Sequence, residues 1–70
     1  MLKPLVSIII RTKNEDFWIG KCLNEIFNQQ YKNFEVILVD NNSKDKTISI
    51  VKKNFPSVKI INYKSKIFLP

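Results

Sequence analysis

The sequence has no histidine and a single cysteine, Cys22, so it can form neither an internal disulfide nor a Cys/His zinc site. Such cysteine usage makes a reducing, intracellular setting the default, and a cytoplasmic location is expected. Glycine is equally scarce, with Gly20 alone. No glycine separates the first apolar run from the helix pattern after it, which removes both the three-glycine dinucleotide fingerprint and a phosphate-cradling P-loop. Apolar runs are short. None approaches the ~20 residues that span a bilayer, and residues 1–4 carry neither the basic stretch nor the apolar core of a secretory signal. Any membrane contact is therefore expected to be peripheral at most.

What is present is ordinary globular chemistry, with 44% apolar and 26% charged residues, rather than a disordered or low-complexity composition. Its 70 residues make one small domain at most, and a chain of that size buries only about 60% of the surface its unfolded form exposes. Alone it would be thin. The 12 Lys and Arg residues against 6 Asp and Glu leave a net charge of +6, which suits a nucleic acid, an anionic membrane surface or a phosphorylated ligand. Lysines spread along the chain and aromatics at core-like positions argue against specific nucleic-acid binding. The chain closes on Ile67, Phe68, Leu69 and Pro70, where a finished domain usually ends in polar residues. Residues 64–70 are therefore expected to be a loose tail, with further chain belonging after it.

Val6, Ser7, Ile8, Ile9 and Ile10 form a run suited to a central parallel strand covered on both faces. Asn14 then offers a cap oxygen, Glu15 and Asp16 supply first-turn negative charge, and Ile19, Cys22, Leu23, Ile26 and Phe27 recur on one helical face. Gly20 inside that helix marks a place where it passes close to a neighbour. Residues 34–39 make a second apolar run ended by Asp40, and a crossover containing a helix forces these two strands to be parallel. Asn41, Asn42 and Ser43 form a turn before a second helix whose inward face is Ile48, Val51 and Phe55 and which Pro56 stops. Residues 58–63 supply a third strand, placed nearer an edge by Lys59 and Asn62. The expected fold is α/β, a Rossmann-like βαβαβ unit with a three-stranded parallel sheet.

In such a sheet, ligands bind beyond the C-terminal ends of the strands. Two polar loops meet there, residues 11–15 and 40–45. Asp40 is the best candidate to accept hydrogen bonds from a ribose hydroxyl or a base N–H. A calcium loop opening at Asp40 is excluded, because Asp45 stands where glycine must turn and Val51 where the bidentate Glu belongs. Each residue also has a plainer role. Asp40 could cap the turn, Asp16 could favour a helix N-terminus, and Ser43 and Asp45 suit helix caps. Trp18 and Tyr31 suit packing or interface anchoring.

Residues 6–15, VSIIIRTKNE, followed by WIGKCLNEIFNQQYKNFEVILVDNNSKDKT at residues 18–47, closely resemble the start of family 2 glycosyltransferases of the GT-A fold. The resemblance covers about residues 5–62. In that family the first loop commonly reads Pro-Thr-Tyr-Asn-Glu and the second strand ends Asp-Asp-Gly-Ser or Asp-Asn-Gly-Ser. The resemblance therefore implies that Arg11, Thr12, Lys13, Glu15 and Asp40 hold a nucleoside-diphosphate sugar, a UDP-sugar first among them. Lys13 departs from an aromatic, and Asn42 departs from a glycine while still permitting a left-handed turn. The resemblance also implies a divalent metal, Mg or Mn, held by an Asp-x-Asp motif, and a later carboxylate base. Neither follows Asp40 here, so the 70 residues alone are expected to be inactive, with no catalytic or metal ligand among them. The alternatives are a non-catalytic fragment acting as a folding or association module and, more remotely, a small basic nucleic-acid binder. An exposed sheet edge and the apolar tail lead to an expectation of self-association.

Overall fold

The β-branched and aromatic runs do become strands, and the periodic segments between them become helices. The computed structural model describes residues 4–64, with β1 Val6–Thr12, α1 Ile19–Phe27, β2 Phe34–Asn41, α2 Thr47–Asn54 and β3 Lys59–Tyr63. The expected tail lies outside the described residues apart from Lys64. All three strands are parallel in the order β1-β2-β3. Ile10, Leu38 and Ile60 form one cross-strand row, and Thr12 lies opposite Asp40.

Burial divides the sheet into two faces. Ile8, Ile10, Val36, Leu38 and Ile60 pack with Ile19 and Leu23 of α1 and Val51 of α2. At one end of this core the Phe27 ring lies 5.6 Å from Phe34 and 5.9 Å from Phe55, so the end of α1 closes over the start of β2 and the end of α2. The opposite face carries Ile9 and Ile61, 62% and 52% exposed. Among the described residues, then, the cover expected on both faces of β1 is present on one face only. Two right-handed crossovers stepping the same way along a sheet place both helices on one face, which leaves β1 outermost among the described strands.

The uncovered face also carries a polar strip. The Ser7 hydroxyl donates to Glu35 at 2.7 Å, and Lys59 Nζ lies 3.4 Å from the same carboxylate. The Ser7 hydrogen bond first, and then Lys59, hold the Glu35 carboxyl below its ordinary value.

Four local expectations for α1 also change. The helix begins at Ile19, and Asn14 is not its cap but a residue at φ 52. Glu15 and Asp16 lie before the helix, where the Glu15 carbonyl accepts the Trp18 and Ile19 N–H groups at 3.0 and 2.9 Å. Cys22 is exposed rather than inward, because the packed face runs through Ile19, Leu23 and Ile26. Gly20 approaches no neighbour, since a Cβ built there meets nothing within 4 Å. Gly20→Ala should therefore stabilise the protein by roughly 0.5–1 kcal/mol through helix propensity and a less free unfolded chain. Thermal unfolding checks this, and a lowered midpoint would show that the position is crowded after all.

Candidate functional site

The C-terminal ends of β1 and β2 bring two polar residues side by side. Thr12 and Asp40 are register partners, 6% and 0% exposed. Beyond them the chain turns through Asn14 in one loop and Asn42 in the other, both at φ 52. Asparagine tolerates that left-handed backbone better than most residues, so Asn42 does make the turn expected of it.

Hydrogen bonds between described residues join the two loops, and those at positions 43 to 47 alternate in direction. Three successive N–H groups of the first loop donate to side chains of the second: Asn14 to Ser43 Oγ at 2.9 Å, Glu15 to Thr47 Oγ1 at 2.9 Å and Asp16 to Asp45 Oδ2 at 3.1 Å. Two N–H groups return the contact, Lys44 to Asn14 Oδ1 at 2.7 Å and Lys46 to Asp16 Oδ2 at 3.3 Å. Both hydroxyls pass the interaction on to a carboxylate. Ser43 donates to Asp40, and Thr47 donates to Asp45. Asp45 Oδ1 also accepts the Thr47 N–H at 2.9 Å, so Asp45 holds the first N–H of α2 from the residue before its N-cap, Lys46. Asp16, expected merely to favour a helix N-terminus, ties the loops together instead.

The Asp45 carboxyl feels opposing influences. Burial pushes it up, but hydrogen bonds from the Thr47 hydroxyl and N–H and from the Asp16 N–H outweigh this and hold it below its ordinary value. A depressed carboxyl stabilises the folded state fully above its unfolded value, and the contribution is lost as pH falls through the folded one. On acidification the amide-proton shifts of Asp16 and Thr47 should therefore move together, with a midpoint below 3.8. NMR titration checks this; a midpoint at or above that value would show that these bonds do not favour the carboxylate.

A pocket of about 180 Å³ opens beside the end of β1, lined by Arg11, Thr12 and Glu15 and by Trp18, Ile19 and Cys22. Thr12 Oγ1 is buried there and makes no hydrogen bond among the described residues. Such groups are nearly always paired in folded proteins, so this one has hydrogen-bonding capacity to spare. The structure thus gathers Arg11, Thr12 and Glu15. Lys13 is exposed in the adjoining bend and does not line the pocket. Asp40 stands next to Thr12, but both of its oxygens accept from Ser43, the N–H at 2.8 Å and the hydroxyl at 2.5 Å. Among the described residues no group of three or more His, Cys, Asp or Glu could hold a metal ion. No described helix is long and apolar enough to cross a membrane.

The sequence profile described as Glycosyl transferase family 2 matches residues 7–66. The chain belongs to this family. Among relatives, it is 44% identical over 62 residues to a Methanococcus voltae dolichyl N-acetyl-α-D-glucosaminyl phosphate 3-β-D-2,3-diacetamido-2,3-dideoxy-β-D-glucuronosyltransferase, covering 79% of this chain and 19% of that protein. It is 40% identical over 48 residues to a Campylobacter jejuni GalNAc(5)-diNAcBac-PP-undecaprenol β-1,3-glucosyltransferase, covering 69% and 16%. A mannosyltransferase from Pyrobaculum calidifontis, solved with GDP-Man and Mn2+, superposes with a TM-score of 0.74 at 28% identity. That superposition covers 99% of this chain and 21% of the mannosyltransferase. This family 2 chain therefore has the Rossmann-like βαβαβ of the N-terminal part of a GT-A fold. It spans a fifth or less of the length of the two curated relatives described.

Proposed function

We propose that this chain forms part of the donor-nucleotide site of an inverting glycosyltransferase, one that moves a sugar from a nucleoside diphosphate to an acceptor hydroxyl. The observation that carries the reading is the buried, unpartnered Thr12 hydroxyl in a pocket it shares with Glu15 and Arg11, at the strand ends where open parallel sheets bind ligands. Once its buried hydroxyl is uncovered, Thr12 can donate to and accept from a base or ribose, while the Glu15 carboxylate accepts from base N–H or ribose hydroxyl groups. Arg11 and Lys13 bring positive charge that suits the diphosphate. Asp40 has no exposed surface, so it serves first as the anchor of the turn at Ser43. Direct contact between Asp40 and a nucleotide requires that turn to shift.

The donor is a UDP-sugar in this reading, with a GDP-sugar as the competing choice that the mannosyltransferase bound to GDP-Man brings forward. A divalent cation, Mg2+ or Mn2+, belongs to the reading because that relative was solved with Mn2+. Its ligands are proposed to come from outside residues 4–64. The test is nucleoside diphosphate release by the whole protein from a panel of UDP- and GDP-sugars. Turnover of one base class is expected, with Thr12→Val raising KM for that donor about three- to tenfold, the loss of one hydrogen bond. Release from no sugar nucleotide would contradict the reading.

A further inference from the structure

Among the hydrogen bonds between the two loops, one side chain is the pivot. The Ser43 hydroxyl accepts the Asn14 N–H at 2.9 Å and donates to Asp40 Oδ1 at 2.5 Å, while the Ser43 N–H holds Asp40 Oδ2 at 2.8 Å. Asn14 closes the link from the other side, its Oδ1 accepting the Lys44 N–H at 2.7 Å. A single hydroxyl that accepts from one loop and donates to the carboxylate beside the other can satisfy both only in a narrow range of positions. Thr12 and Glu15 stand on the first side of this link and Asp40 on the second. The β1–β2 pairing already sets Thr12 beside Asp40 and Thr47 holds the Glu15 N–H, so the Asn14–Ser43 link, whose residues do not line the pocket, fixes the path of the loop between Thr12 and Glu15.

We infer that Asn14 and Ser43 are positioning residues for the nucleotide pocket. They fix the loop that carries Glu15, and with it the mouth of the pocket beside Thr12, before a ligand arrives. The inference rests on the proposed donor site and adds to it the device that preorganises it. Order set in advance removes a cost that binding would otherwise bear, and a supporting shell left loose weakens a site whose contacts are all present.

Calorimetric titration of the whole protein with UDP and with GDP tests this, using the wild type, Ser43→Ala, Ser43→Thr and Asn14→Gly. Glycine accepts the positive φ at position 14, so Asn14→Gly removes the Oδ1 acceptor without straining the backbone. Kd should rise about tenfold in Ser43→Ala and in Asn14→Gly at unchanged stoichiometry, as for the loss of one hydrogen bond within a charged network. Ser43→Thr keeps the hydroxyl and should restore Kd to within about twofold of wild type. An unchanged Kd in Ser43→Ala overturns the inference. So does a falling stoichiometry at constant Kd, which is the signature of lost folded molecules. A wild type that binds neither nucleotide overturns the donor-site reading itself, an outcome distinct from both.

Discussion

Leu38→Ala should destabilise the protein by about 3 kcal/mol, within the range of Leu→Ala changes at closed core positions. Leu38 is fully buried on the middle strand, between Ile10 and Ile60 in register. It belongs to the same cluster as Leu23 and Val51, both with no exposed surface. The site cannot collapse easily, because its neighbours come from strands on both sides and from both helices. A domain of this size has a total stability of roughly 4–10 kcal/mol, so one such cavity removes a large part of it. Urea unfolding reads the change as a shifted midpoint. Cys22→Ser, at an exposed helix position, should move that midpoint by less than about 0.5 kcal/mol. Equal effects from the two substitutions would mean that the helix faces are assigned wrongly.

Asp40→Ala should have an effect of similar size for a different reason. The carboxylate is fully buried and accepts both the Ser43 N–H and the Ser43 hydroxyl. Hydrogen bonds to a charged group are worth about 1.5–3 kcal/mol each, and the Ser43 donors that lose this acceptor are half-buried. A loss of about 3 kcal/mol is expected. The Ser43 hydroxyl then loses the acceptor that orients it toward Asn14, so the first loop should loosen too. Asp40→Asn keeps the shape and one acceptor oxygen, and should fall between wild type and Asp40→Ala. In the donor-site reading both variants also weaken nucleotide binding. If Asp40→Ala were as stable as wild type, the turn would not depend on its carboxylate.

The contrast between these residues explains what could be read from the chain alone. Ile8, Ile10, Val36 and Leu38 announce strands because β-branched and apolar runs suit a pleated, buried surface. Ile19, Leu23 and Ile26 announce a helix face by spacing. Parallel order follows from the crossover helices. The coverage of β1 could not be read this way, since its continuous apolar run looks the same whether or not a partner lies against Ile9. The start of α1 is not legible because Asn14 has the chemistry of a helix cap, while the structure uses that chemistry across loops. Asn14 and Ser43 are 29 positions apart, and Glu15 and Thr47 are 32 apart. No local pattern connects them. The available signal was only that both loops are rich in Asn, Asp, Ser and Thr, residues whose side chains bond to backbone N–H groups. Thr12, Glu15 and Asp40 stand out in the sequence only by their place at the strand ends, as candidates. The sequence did not reveal that Thr12 is the residue with an unused hydroxyl and that Asp40 is the one already engaged.

In the donor-site reading the ends of β1 and β2 receive a nucleotide at Thr12 and Glu15. NMR titration of the isotope-labelled whole protein with UDP and with GDP tests it most directly. Saturable amide shifts at Thr12, Glu15 and the adjoining Asn14 and Ser43 are expected with one of the two nucleotides, and Thr12→Val should weaken them. Shifts confined to the face that carries Ile9 and Ile61, or none with either nucleotide, would contradict the account.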